Sequence, residues 1–386
     1  VKLGDRFDAW VRSGPFTPAD LGISRIVYAV GALFTVPNIA WLAEYPDFMF
    51  HPPPGPLQLL SGFPPLAVLI GLEVLRSASL LAVGFGLWTK IASIASAVML
   101  TSTYGLTYCL GKIDHTILLV LPPLVLAFAN WGDRFSIDAW RHRKAAPSEQ
   151  EQWPLRLLGL LVGWGFFTAA LTKLGTGWLS FDSQAARGYY VLAFVTEDRT
   201  HWLAEWVATH DWRVAWELAD WLTVAFEFAI LLALPWWRAF RITLAVATTF
   251  HLGVLLVMNI DFSHAVIAYG AFVSWGTIAR RVGDSRLVGF AERVLRAGRP
   301  LFTGVPARVL LVLLAVAIGS SSWFLMASPV GRIAIGRVGG VAVIVVGALI
   351  GITYLLQQVW AALDQRLHPR AVQGGVLPVA GDQFVR

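Results

Sequence analysis

Ten apolar stretches, each close to the twenty residues a helix needs to cross a hydrocarbon core about 30 Å thick, divide this 386-residue chain. They centre on residues 24–43, 66–88, 91–110, 115–130, 156–175, 214–235, 240–259, 264–279, 308–327 and 339–361. The runs are continuous rather than alternating, which argues against a β-barrel, whose strands are also much shorter. The sequence therefore predicts an all-α, polytopic transmembrane bundle of about ten spans. Composition agrees: 56% of residues are hydrophobic and 14% charged, against about a quarter charged in soluble domains. A large soluble protein is excluded. The lone cysteine, Cys109, rules out an intramolecular disulfide and zinc sites built from several thiolates.

Orientation is read from the basic residues. They gather in the arm before the first span (Lys2, Arg6, Arg12) and in the connections after even spans: RHRK at 141–144, Arg238 with Arg241, and the run from Arg280 to Arg308. Connections after odd spans hold few or none. The alternation predicts that both termini are cytoplasmic, and it explains the net charge of +6 without nucleic acid. The expected organisation is a cytoplasmic arm at 1–23, a membrane domain at 24–280, a basic amphipathic inner-face segment at 281–307, two further spans within 308–361, and a cytoplasmic tail at 362–386. Residues 24–45 read as a first true span rather than a leader, since no small-residue cleavage motif follows. The longest outer connection, 176–212, reads as one or two amphipathic pieces lying on the membrane surface. No P-loop, dinucleotide-binding glycine pattern, HExxH motif or internal repeat occurs.

Ionisable residues inside apolar spans are costly and mark candidate sites. Glu73 and Arg76, three apart on the second span, are expected to pair on one helix face. Glu217, Asp220 and Glu227 form one stripe on the sixth span. Glu227 either locks helices together or takes part in proton or substrate handling. Lys173, near the outer end of the fifth span beside Thr168 and Thr172, either snorkels to water or turns into the bundle. In the bundle its desolvated amine would act as a general base. His115, His251 and His264 are either satisfied core residues or ligand contacts. No HxxxH spacing occurs within a span, so no metal is expected. His115, Lys173, Asp220, Asn259, Asp261 and His264 all fall near the outer leaflet. Polar groups at that depth suit an amphipathic ligand such as a quinol, whose ring is hydrogen-bonded while its tail stays in lipid.

Four segments in order carry a family resemblance: an ISRIVYAVGALF first span, GKIDHTILLVLPPLVLAFANWGDRFSIDAW, FFTAALTKLGTGWL, and FEFAILLALPWWRAFRITLAVATTFHLGVLLVMNIDFSHAVIAYGAFVSW. Together they resemble the horizontally transferred transmembrane domain shared by vitamin K-dependent γ-glutamyl carboxylase and its bacterial relatives, over roughly residues 20–280. The resemblance implies an integral protein of the bacterial inner membrane and a quinone or hydroquinone as cofactor. In the carboxylase, a lysine of the KL segment takes a proton from vitamin K hydroquinone. The matching position is Lys173, and the histidine of the DH motif matches His115. Thr172 stands where the animal enzyme has a second lysine, and its large lumenal domain has no counterpart here. Carboxylation of a protein substrate is therefore not expected.

Two readings follow. In the first, the chain binds a quinol or other amphipathic ligand, with Lys173 as base, His115 as its hydrogen-bonding partner, and Asp220, Glu227, His251, Asn259 and His264 as ligand contacts. In the second, the bundle is a non-catalytic subunit or assembly factor whose partners are lipids and other membrane subunits.

Overall fold

A computed structural model describes residues 3–142, 150–282 and 329–367. Most of the inner-face segment 281–307, the ninth span at 308–327 and the tail beyond 367 lie outside the described residues. Among those described, every regular element is helical. In chain order these are α1 (Leu3–Arg12), α2 (Pro18–Thr35), α3 (Leu66–Phe85), α4 (Thr89–Thr107), α5 (Leu121–Leu126), α6 (Ile137–His142) and α7 (Trp153–Gly175). There follow α8 (Ala185–Val191), α9 (Ala204–Thr209), α10 (Arg213–Ala233), α11 (Trp237–Met258), α12 (Ser263–Tyr269), α13 (Trp275–Val282) and α14 (Pro329–Leu367).

Among the described residues five helical segments are long and apolar enough to cross a membrane: Pro18–Glu44, Leu66–Phe85, Trp153–Gly175, Trp237–Met258 and Arg337–Leu367. This is a coarser result than the ten spans read from the sequence. α4 and α10 have the length, with 19 and 21 residues, but Ser/Thr in one and carboxylates in the other dilute their apolar character. The fourth and eighth apolar stretches do not form single helices. Residues 115–130 make a 3₁₀ turn, His115–Leu119, and the short α5. Pro122 and Pro123 supply no N–H, so they sit at the start of α5, where an intrahelical donor is not needed. Residues 264–279 break at Val273, whose extended backbone separates α12 and its 3₁₀ extension from α13. The first span also stops early. Pro37 disfavours a helical Val36, which is extended, and the chain resumes as a 3₁₀ turn at Ala40–Glu44.

The described residues divide into two compact units, one drawn from 16–158 and 262–343, the other from 1–15, 159–261 and 344–386. In the first, α2 opens with a capping box: the Asp20 backbone N–H donates to Thr17 Oγ1 at 3.2 Å and Asp20 accepts the Thr17 N–H at 2.8 Å. Asp20 also accepts the Gly276 N–H at 2.7 Å, fastening α13 to α2. Arg25, one turn further on, is fully buried. Its guanidinium donates to the carbonyls of Val83, Gly84 (2.7 Å), Trp131 (3.2 Å) and Phe135 (2.6 Å). The first two belong to the last turn of α3, where unsatisfied carbonyls and the helix dipole favour a cation. Asp138 caps the next helix from a distance, accepting the N–H groups of Trp88 and Thr89 and the Thr89 hydroxyl. Glu73 and Arg76 pair as expected, and Glu73 also accepts the Ile39 N–H at 2.8 Å just past the break at Pro37.

Between α3 and α4 the chain turns on Gly86, whose φ of +67° lies in the left-handed region. A β-carbon there would overlap the Ser136 side chain and lie 2.8 Å from Arg25 Nη1. Gly86→Ala is therefore expected to cost about 2–4 kcal/mol through backbone strain and overpacking. A denaturant titration of the purified protein in detergent checks this.

In the second unit α7, from residue 159 onward, packs against α10 through Gly163, while Gly159 faces Leu234, just past α10, and Phe240 on α11. A β-carbon on Gly163 would come within 3.0 Å of Leu231 Cα. Small residues at i and i+4 allow the close helix approach favoured inside membranes. The far end of α14 packs on α11, with Gly351 against the Ala245 carbonyl and Thr248.

Candidate functional site

The buried face of α10 carries Glu217, Asp220, Thr223 and Glu227, the stripe expected from the spacing. Lys173, in the last turn of α7, reaches across to Glu227, and its Nζ lies 2.7 Å from both carboxylate oxygens. The Lys173 side chain is 18% exposed and that of Glu227 8%, so the pair is largely closed but open along one edge. Gly177, at φ +81°, turns the chain back after α7. This brings the Trp178 ring over the ammonium, with its centroid 5.1 Å from Nζ. Lys173 is thus neither a lone snorkelling cation nor an isolated amine. It is half of an ion pair roofed by an indole. Thr168 and Thr172 do not join it; their hydroxyls bond the carbonyls of Gly165 and Thr168 on their own helix.

The neighbouring polar residues are otherwise engaged. His251 is buried on α11 within an aromatic cluster spanning three helices: Phe166 on α7, Phe226 on α10 and Phe250 on α11. Asp220 accepts the Ala185 and Ala186 N–H groups at 2.9 and 2.7 Å, capping α8. Asn259 ends α11 in the left-handed conformation at φ 52°, and its Nδ2 donates to the carbonyls of Arg199 and His201 at 3.3 and 2.9 Å. Both residues therefore frame the 176–212 connection, which folds as α8, a π-helical turn and α9. Over it, Arg187 and Asp211 form an ion pair. The hydrogen bonds from Arg187, aided by one from Trp216, hold the Asp211 carboxyl below the usual carboxylate range. A depressed folded value contributes stability above the unfolded value of about 4, and that contribution is lost as pH falls through the folded value. Asp211→Asn should therefore melt slightly below wild type at pH 7, and the gap should close in acid. Paired thermal melts in detergent measure it.

The first unit holds a separate polar group. His115 opens the 3₁₀ turn that packs against α12, and its ring lies 6.5 Å from that of His264, centroid to centroid. Phe262 covers His115 at 4.3 Å, Tyr104 lies edge-on to His264 at 5.9 Å, and Tyr104 stacks on Tyr108. The Tyr108 hydroxyl lies 2.6 Å from Thr116 Oγ1, and Asp114 accepts both the N–H and the hydroxyl of Thr116. Two imidazoles and two phenols therefore share one small region. The tyrosines escaped sequence reading because an aromatic pair at i and i+4 in an apolar helix looks like core. The Lys173–Glu227 pairing was legible only as two opposite charges in separate spans. Among the described residues no group of three or more His, Cys, Asp or Glu side chains could hold a metal.

Residues 14–273 match the HTTM domain. The chain belongs to the HTTM domain family. That membrane domain is related to vitamin K-dependent carboxylase, and the protein is a multi-pass membrane protein of this carboxylase-like family. No curated protein and no solved structure matches the chain. The HTTM match encloses His115, Lys173, Asp220, Glu227, His251, Asn259 and His264, and it ends before α13 and α14.

Proposed function

We propose that this HTTM protein binds a quinol or another amphipathic phenol at Lys173 and Glu227, and that the pair accepts a proton from the ligand's hydroxyl. The Lys173–Glu227 pair carries the reading. It presents an ammonium and a carboxylate side by side, with the Trp178 indole 5.1 Å from the ammonium, a donor set that fits a hydroxylated ring. When bound, a quinol supplies an acidic hydroxyl and a redox-active ring. Glu227 would take a proton onto a carboxylate oxygen, and the Lys173 ammonium would hold the ligand's hydroxyl oxygen beside it. This modifies the expectation of a free lysine base, because a lysine engaged by a carboxylate at 2.7 Å acts first as the stabilising cation. His115 and His264, with Tyr104 and Tyr108, offer a second hydrogen-bonding group in the other unit. The proposal places the chain in a bacterial inner membrane with ten spans and both termini in the cytoplasm.

The test is retention of quinone by protein purified in mild detergent, scored by extraction and mass spectrometry after incubation with a reduced menaquinone. Wild type and Lys173→Arg should retain it, whereas Glu227→Gln and Lys173→Met should lose about tenfold, the ratio of one charge-assisted hydrogen bond. Equal retention by all four proteins would overturn the reading. It would favour the second one, a non-catalytic subunit in which the same ion pair locks α7 to α10.

A further inference from the structure

We propose that a groove between α8 and the start of α10 binds the phosphodiester headgroup of a membrane phospholipid, with preference for headgroups that carry a hydrogen-bond donor. The groove is open to the surface, has a volume of about 480 Å³ and is lined by Asp182, Gln184, Arg187, Gly188, Val191 and Arg213. It shares no residue with the Lys173–Glu227 pair and stands independently of the quinol reading.

Two guanidiniums are held in place on its walls. Arg187 donates from Nε and Nη2 to Asp211, leaving Nη1 open. Arg213, the first residue of α10, donates from Nη2 to the Phe181 carbonyl, and among the described residues no acceptor engages its Nε or Nη1. Among the described residues no carboxylate lies within ion-pairing distance of Arg213. The remaining donors, Nε and Nη1 of Arg213 and Nη1 of Arg187, offer separate charge-assisted N–H bonds to phosphate oxygens. The N–H groups of Ala185 and Ala186 are already taken by Asp220, so the guanidiniums, not the start of α8, carry the recognition. Asp182 lines the same groove and can only accept. It therefore selects a headgroup with a hydroxyl or ammonium N–H beyond the phosphate.

The surroundings specify a lipid rather than a soluble phosphate. Residues 176–212 follow α7, a helix long and apolar enough to cross a membrane, so the groove sits at the end of a span. Phe181 beside Asp182 is 67% exposed, Val191 on the groove wall 44%, and Val214 next to Arg213 71%. Exposed apolar side chains beside arginines at a span's end are placed to meet acyl chains and headgroups together.

The full chain, purified and delipidated in detergent, would be offered equal amounts of phosphatidylethanolamine, phosphatidylglycerol and phosphatidylcholine, and retained lipid counted by native mass spectrometry. One tightly held phosphatidylethanolamine or phosphatidylglycerol is expected, favoured over phosphatidylcholine by about tenfold. Arg213→Gln should lose that lipid, and Arg213→Lys should keep part of it. Asp182→Asn should bring phosphatidylcholine towards parity. Retained quinone in Arg213→Gln should equal that of wild type, which separates this site from the other. Equal retention of all three lipids by wild type would overturn the proposal, as would a wild-type lipid count in both Arg213 variants. Displacement of the lipid by inorganic phosphate would overturn it in favour of a free-anion site.

Discussion

Arg25→Ala is expected to unfold the unit built from residues 16–158 and 262–343, or to leave it so weakened that little folded protein is recovered. Arg25 is fully buried and is hydrogen-bonded to four backbone carbonyls from three chain segments: the end of α3, Trp131 and Phe135. Removing it leaves those carbonyls without a donor, the bonds to Val83 and Trp131 being fully buried, at about 1–3 kcal/mol for each one not satisfied otherwise. The cavity left by the side chain adds to this. The total is expected to exceed about 4 kcal/mol, a large share of the roughly 5–15 kcal/mol that holds a typical protein folded. Arg25→Lys keeps the charge but replaces a planar five-donor fork with three donors at one point, so it should recover only part of the loss. Intrinsic fluorescence during denaturant titration follows the transition, because Trp131 is buried beside the missing contact.

The second large effect is expected at Lys173 and Glu227. Either single change, Lys173→Met or Glu227→Leu, strands the other charge among apolar helices. Breaking a buried pair from one side typically costs about 3–5 kcal/mol. The open edge of Lys173, 18% exposed, places its partner's loss at the lower end, since the stranded ammonium can turn to water while a stranded Glu227 cannot. The double variant restores an apolar contact between α7 and α10 and should regain most of the stability. A double-mutant cycle on unfolding midpoints measures the coupling. The same proteins divide structure from function: the quinol reading requires the double variant to fold and still retain no quinone. A double variant that folds and retains quinone would place the ligand elsewhere.

The helical, membrane-embedded character of the chain was legible because hydrophobic length is a one-dimensional property. The number of continuous spans was less so. Pro37, Pro122 with Pro123, and Val273 interrupt stretches whose hydropathy runs on unbroken, since a window average registers polarity and not a missing N–H donor or an extended backbone. The Glu73–Arg76 pair could be read directly because both residues lie on one helix, three positions apart. The partner of Lys173 could not. It lies 54 positions away on another helix, and several carboxylates were equally eligible.

Asp220 and Asn259 show the same division more sharply. As sequence they were polar residues at the depth of a ligand site. In the fold their hydrogen-bonding groups go to backbone amides and carbonyls of the 176–212 connection, which makes them supports. Arg25 is the reverse case, a single basic residue of the first span whose role rests on its four carbonyl partners. Helical structure, entry into a membrane and membership of the carboxylase-like HTTM proteins were all readable from the residues in order, because hydropathy and motif order are local and additive. Which polar residues pair and which cap emerged from the three-dimensional packing alone. A buried polar group is defined by the partner that satisfies it, and that partner is chosen by packing in three dimensions.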